Sequence, residues 1–213
     1  MRVLITGFGP FPGAPFNPSA SLVKALLRRR RPALDGIEIG AHVFATSYAA
    51  VDRDLPKLLA QEPDVVLLFG LAGRRRHLCI ETRAQNAVTP LFPDADDRKP
   101  PRDIIMPGAP ASLQGNAPFM RQLGAARSRF PSRLSRDAGR YLCNYVYWQV
   151  LQRADKGRPL MQFVHIPPLH VIRRRSGRRT SFARLVGAAE AILIILITAS
   201  RQRHRKRSNL DGS

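Results

Sequence analysis

Residues 64–70, Asp-Val-Val-Leu-Leu-Phe-Gly, constrain the fold more than any other stretch. Five apolar side chains in a row leave no polar face. A strand formed here must therefore be covered on both sides, as in a parallel sheet between two layers of helices. Val3-Leu4-Ile5-Thr6 has the same character, as does Leu160 to Ile166, which Pro167-Pro168 stops. Ile37 to Phe44 alternates well enough for a strand, and Leu78 to Ala84 reads as another. Helical spacing fills the gaps. Asn17-Pro18-Ser19 signals a helix start before Leu22, Val23, Leu26 and Leu27, and Arg28 to Arg31 end that helix with cations suited to its C-terminus. Tyr48 to Leu59 reads as a helix that Pro56 kinks or shortens; Ala117 to Phe130 and Ser181 to Ser200 are further helices. Alternation of this kind predicts an α/β fold: one domain over residues 1–200, with a mostly parallel central sheet in a three-layer α/β/α arrangement. Residues 86–115, rich in Pro, Asp and Arg, read as a long loop with one hairpin arm, and residues 201–213 as a disordered basic tail.

Composition narrows the function classes. Two cysteines in 213 residues exclude a disulfide framework. The first apolar run, from Val3, is only four residues long, so a secretory signal is not expected and a cytoplasmic, reduced protein is. The uninterrupted run from Ala191 to Ile197 is well short of the roughly 20 residues a membrane span needs, and a helix buried against the sheet is the expectation. The formal charge of +20 favours non-specific attraction to polyanions. No zinc-finger spacing or RNA-recognition motif accompanies it, so a solvated basic surface accounts for the charge. A glycine-rich loop, Gly7-Phe8-Gly9-Pro10-Phe11-Pro12-Gly13, follows the first strand, but it has neither the dinucleotide fingerprint nor a Gly-Lys-Ser/Thr phosphate loop. Two prolines and two phenylalanines make it stiff and apolar instead.

Three residues carry the chemistry. Cys143 follows the turn-forming Asp137-Ala138-Gly139-Arg140 and opens an apolar, aromatic helix. Ser135 or Asp137 is the expected cap, which places Cys143 in the first turns, where free N–H groups and the helix dipole favour a thiolate. His165 falls at the C-terminal end of a strand, where open α/β sheets place their sites. Glu81 lies among apolar neighbours on another strand. A thiol nucleophile needs a base, and the base needs an acceptor to fix its tautomer; Cys143, His165 and Glu81 are the candidates.

The chain resembles the pyroglutamyl peptidase type I, or pyrrolidone-carboxylate peptidase, family of cytosolic cysteine peptidases. Four separated motifs carry the likeness: Thr6-Gly7-Phe8-Gly9-Pro10-Phe11 with Asn17-Pro18-Ser19; Gly70-Leu71-Ala72-Gly73-Arg74 leading to Glu81 and Asn86; Asp137 to Asn144; and Phe163-Val164-His165-Ile166-Pro167. Their order and spacing match across roughly residues 1–168.

The resemblance implies a catalytic Glu81–Cys143–His165 triad. Cys143 attacks through a thioester, His165 is base and acid, and Glu81 orients the histidine, with no metal or cofactor. The implied substrates are peptides bearing an N-terminal 5-oxoproline, which is removed. The neutral, half-apolar lactam suits a pocket walled by Phe8 and Phe11. Asn17 is the matching polar residue there, and Tyr141 and Leu142 occupy positions that line the ring pocket in the family. A homodimer or homotetramer is implied as well. Two positions depart from the pattern: Thr82 stands where the family usually has arginine after the glutamate, with Arg83 next, and Leu71 stands where glutamine is common. The alternative is a catalytically weak relative whose basic surface binds nucleic acid or another polyanion.

Overall fold

A computed structural model describes residues 1–11, 13–154, 159–168 and 182–210. The six-stranded sheet contains β1 (Arg2–Phe8), β2 (Glu38–Phe44), β3 (Val65–Leu71), β4 (Leu78–Glu81), β7 (Ser132–Ser135) and β8 (Leu160–Ile166), in the order β2-β1-β3-β8-β4-β7. The pairs β2/β1, β1/β3, β3/β8 and β4/β7 are parallel; β4 runs antiparallel to β8. A separate two-stranded ribbon pairs β5 (Arg83–Gln85) with β6 (Ser112–Gln114).

Both faces of the sheet are covered, as the apolar strands require. On one face Val65, Leu67 and Phe69 of β3 pack with Leu22 and Leu26 of α1 (Pro18–Leu27), Leu123 and Ala126 of α3 (Phe119–Arg127) and Leu193 and Ile197 of the last helix, α5 (Phe182–Leu210). On the other, Val66 and Leu68 meet Val51 and Leu55 of α2 (Tyr48–Leu59) and Val146 and Trp148 of α4 (Leu142–Gln152). This is the expected three-layer α/β/α fold. Pro56 lies inside α2, which nevertheless continues to Leu59.

Several details differ from expectation. The stretch Leu78 to Ala84 is two strands, β4 and β5: Thr82 breaks it by turning its N–H and hydroxyl to the Ser135 carbonyl. The hairpin arm of the long loop is the β5/β6 ribbon, and 86–111 forms neither helix nor strand. Strand β7 was not foreseen; its Ser-Arg-Leu-Ser sequence carries too little apolar signal.

Residues 201–213 are not a disordered tail as far as they are described. Helix α5 continues to Leu210, because Arg203 donates to the Asn116 carbonyl at 2.9 Å and His204 meets Asp64 at 2.8 Å, anchoring the extra turns to the body. Residues 211–213, the beginning of the expected last helix at Ser181 and the arginine-rich 173–179 stretch lie outside the described residues. By length and composition Phe182–Arg205 is long enough to cross a membrane, with mean hydropathy 2.0, but its apolar side chains are packed on α1, α3 and β3. Arg29 and Arg31, at the end of α1, reach the buried Glu190 of α5 at 3.2 and 3.1 Å.

Leu67 is fully buried at the centre of β3. Leu67→Ala leaves a cavity between the sheet and α5, so unfolding free energy falls by about 2–5 kcal/mol. Chemical denaturation followed by tryptophan fluorescence measures it.

Candidate active site

The site forms where the C-terminal ends of parallel strands meet the start of α4. His165 on β8 lies opposite Gly70 on β3 and opposite Cys79 on β4. Two residues beyond Cys79, on the same face of the sheet, β4 ends in Glu81. That antiparallel register brings together two residues 84 positions apart in sequence: His165 Nδ1 is 2.8 Å from Glu81 Oε1. Glu81 is fully buried and His165 nearly so. With a carboxylate as acceptor, Nδ1 carries the proton and the opposite ring nitrogen is left for another partner.

That partner is Cys143. Burial opposes a charged imidazole here, but the Cys143 sulfur, as a nearby charge and as a hydrogen-bond partner, outweighs it together with Glu81. The His165 pKa rises from 6.5 to about 9. The Phe163 ring lies 4.9 Å from the imidazole, centroid to centroid, and helps hold its plane.

Cys143 is the second residue of α4. Neither Ser135 nor Asp137 caps this helix. Asp137 Oδ1 accepts instead from the Gly139 N–H at 2.9 Å, and Gly139 adopts φ +81°, a turn that delays the helix until Leu142. Tyr141 occupies the N-cap position but its side chain does not cap the helix; its hydroxyl donates to the Pro93 carbonyl at 2.8 Å instead. The first amides of α4 therefore lack a side-chain cap beside the sulfur. The sulfur reaches the sheet because residue 70 has no side chain: a Cβ there would lie 2.6 Å from Cys143 Sγ and 2.8 Å from Phe163. Asn144, fully buried, ties the helix start to the ribbon by accepting from Gln85 N–H and donating to the carbonyls of Gln85 and Ala87, each at 2.8 Å.

A small cavity opens beside the sulfur. Phe8 lines it from the end of β1, Phe11 and Asn17 from the loop that follows, Thr46 from the loop after β2, Leu71 from the end of β3, and Tyr141, Leu142 and Cys143 from the start of α4 and its N-cap. All five residues singled out in the sequence as ring-pocket candidates are thus in one place. Asn17 lines the cavity but also caps α1: its amide donates to the Gly9 carbonyl and accepts from Ser19. Thr46, which the sequence did not single out, holds the same Gly9 carbonyl from the other side.

Sequence reasoning also missed Arg75. Its guanidinium is 2.6 Å from Glu81 Oε1 and 3.0 Å from Ser135 Oγ, and it donates to the Asp137 carbonyl. Three consecutive arginines, Arg74 to Arg76, gave no sign of which one turns inward. Arg83, next after Thr82, turns away to the Arg136 carbonyl. Among the described residues no group of three or more His, Cys, Asp or Glu is placed to hold a metal ion.

A thiol beside an imidazole that a carboxylate holds is the arrangement nucleophilic catalysis uses. Comparison with known proteins points the same way. A family model for pyroglutamyl peptidase matches residues 1–198. A pyrrolidone-carboxylate peptidase of Pyrococcus furiosus is 36% identical over 176 residues, covering 78% of this chain and 81% of that protein. A crystal structure of pyrrolidone carboxyl peptidase from Thermus thermophilus superposes with TM-score 0.79 at 30% identity, covering 91% and 99% of the two chains. A mutant pyrrolidone carboxyl peptidase from P. furiosus superposes with TM-score 0.81 at 28% identity, covering 93% and 99%.

Cys143 is partly exposed at the cavity and Cys79 is fully buried. Iodoacetamide is therefore expected to label Cys143 and spare Cys79, as read by peptide mass spectrometry. Removing the imidazole in His165→Ala slows that labelling at neutral pH by about tenfold or more.

Proposed function

The chain belongs to the pyroglutamyl peptidase family of cysteine peptidases, and we propose that it removes N-terminal pyroglutamate from peptides by thiol catalysis at Cys143. The observation that carries this reading is the buried Glu81–His165 hydrogen bond aimed at the one partly exposed thiol, beside a cavity lined by Phe8, Phe11, Asn17 and Tyr141.

In the proposed reaction Cys143 Sγ attacks the carbonyl carbon that joins the pyroglutamyl ring to the next residue. The imidazole accepts the thiol proton, and Glu81 stabilises the imidazolium. The free amides at the start of α4 face the developing oxyanion. The imidazolium then gives its proton to the departing amine nitrogen as the C–N bond breaks, leaving a thioester on Cys143. Water hydrolyses the thioester: His165 takes a proton from it, the C–S bond breaks and free pyroglutamate is released. Phe8, Phe11 and Tyr141 hold the apolar edge of the ring. A cytoplasmic location fits a reaction that depends on a free thiol.

The departures from the family pattern have physical consequences. Arg75 supplies a guanidinium next to Glu81, so Thr82 does not leave the carboxylate without a cation. Leu71 leaves its wall of the cavity apolar. Leu71→Gln adds a group able to hydrogen-bond the lactam, and KM for a pyroglutamyl coumarin amide is expected to fall about threefold to tenfold.

Cys143→Ala is expected to lower release of the coumarin by about a thousandfold or more, and wild-type-like turnover by that variant would contradict the proposal. The acid that protonates the leaving amine exists below the raised His165 pKa and is lost above it. The rate constant kcat/KM should therefore fall as pH rises through about 9. In Glu81→Gln, which weakens the support for the imidazolium, that alkaline limb moves to lower pH.

A further inference from the structure

A second and larger cleft, of about 440 Å³, lies next to the ring cavity. The two share a wall. Tyr141 lines the cavity, and Tyr48, which lines the cleft, lies edge-on to it with ring centroids 6.1 Å apart. Tyr48 also stands edge-on to Tyr145, at 5.1 Å, on the helix that carries Cys143. Its hydroxyl is close enough to the sulfur to feel it: burial above all, then the charges of Tyr141, Asp94, Tyr145 and Cys143, push its pKa up. That hydroxyl is buried and has no hydrogen-bond partner among the described residues. A peptide group entering the cleft would supply one.

The far wall is the loop after Asp94, which contributes Arg98, Lys99 and Arg102 together with Ile105. The three cations are exposed, and none makes an ion pair or side-chain hydrogen bond among the described residues. The two acids that line the cleft are both committed. Asp94 is buried and accepts from the backbone N–H groups of Tyr48, Asp96 and Arg98 at 2.9–3.0 Å. Asp52 accepts from the Tyr145 hydroxyl at 2.6 Å. Asp96, Asp97 and Asp103 of the same loop do not line the cleft. The hydrogen-bond donors to Asp52 and Asp94 are neutral, so both stay anionic, and the lining carries three cations against two carboxylates, a net charge of 3 − 2 = +1, over an aromatic and aliphatic floor.

We propose that this cleft receives the leaving half of the substrate and, through Arg98, Lys99 and Arg102, selects peptides with an acidic side chain directly after the pyroglutamate. This rests on the pyroglutamyl peptidase reading and adds the substrate class. An acyl group seated in the small cavity with its carbonyl at Cys143 must lead its remaining chain out past the cavity rim, and the cleft begins next to that rim, where Tyr48 stands edge-on to Tyr141 and Tyr145 shares a helix with Cys143. Exposed charges act here by complementarity across a short distance, so their effect is on discrimination and falls with salt.

The test uses the full chain and three C-terminally amidated peptides, pyroglutamyl-Glu-Ala, pyroglutamyl-Lys-Ala and pyroglutamyl-Ala-Ala, with release of the new amine as readout. Wild type is expected to cleave the Glu peptide with kcat/KM about tenfold above the Lys peptide at low salt. The preference should shrink towards unity between about 0.01 M and about 1 M salt. The combined variant Arg98→Glu, Lys99→Glu, Arg102→Glu should reverse it. Equal cleavage of the Glu and Lys peptides by wild type, or a preference that neither salt nor charge reversal moves, overturns the proposal. If the combined variant does not fold, the salt dependence of the wild-type ratio decides alone. Failure of wild type on the neutral Ala peptide and on the coumarin amide removes the peptidase reading itself and this proposal with it; a neutral peptide cleaved without discrimination removes the subsite alone.

Discussion

A carboxylate with no access to water sits at the centre of this structure, and the site is arranged around it. Glu81 is fully buried, and one of its oxygens takes both the Arg75 guanidinium at 2.6 Å and the His165 imidazole at 2.8 Å. Isolated in such surroundings the charge would cost several kcal/mol or would take up a proton. A permanent cation stands on one side of it, and the second cation it stabilises is the imidazolium. Burial alone would favour neutral imidazole; the pair formed with Glu81 and the Cys143 sulfur reverses that. The direction in which His165 titrates thus follows first from the Cys143 sulfur and then from Glu81, which the end of β4 puts in place. Its other oxygen, Oε2, is buried and has no hydrogen-bond partner among the described residues, so the carboxylate's hydrogen bonds converge on Oε1.

The sheet sets the distances in this arrangement. Antiparallel pairing of β4 with β8 fixes Glu81 relative to His165, parallel pairing of β3 with β8 puts Gly70 beside His165, and the missing Cβ at Gly70 lets the first turn of α4 settle on the strand. Sheet register is a strong constraint where both faces are buried, because a one-residue slip would turn every side chain to the wrong layer. Chemistry that requires contacts at about 3 Å is therefore carried by strand residues and by a helix start pressed against them. The ring cavity, by contrast, is assembled from three loops at strand ends, joined by Asn17 and Thr46 through the single Gly9 carbonyl.

Much of this was legible in the sequence because it is local. The apolar run in β3 required a covered strand, Asn17-Pro18-Ser19 marked the start of α1, and His165 was placed at a strand end by the prolines after it. Of the cavity residues, Phe8 and Phe11 came from the apolar loop that follows the first strand, and Asn17, Tyr141 and Leu142 from the resemblance to the family. What could not be read depends on contacts between distant segments. Arg75 is one of three identical neighbours, and only the fold selects it. Ser135 and Asp137 have the chemistry of helix caps, but the positive φ at Gly139 spends Asp137 on a turn instead. The basic segment after Ser200 has no apolar face to announce a helix; its docking on Asn116 and Asp64 is tertiary.

The loop between the β5 and β6 arms brings these levels together. It has no secondary structure over 86–111, yet it is pinned at both ends by asparagines. Asn86 exchanges hydrogen bonds with Met106 at 2.8 Å in both directions, and Asn144 holds Gln85 and Ala87. Asn144 adjoins the nucleophile, so the anchor of the loop and the position of the thiol are set by the same turn of helix. A loop fastened in that way can change its outward side chains without disturbing the buried pair behind it, because exposed residues contribute little to stability. That separation explains how a chain with Leu71 and Thr82 keeps its sulfur, imidazole and carboxylate in register. The strands fix the sulfur, imidazole and carboxylate, and under the proposed reading the loop governs which amide is presented to them.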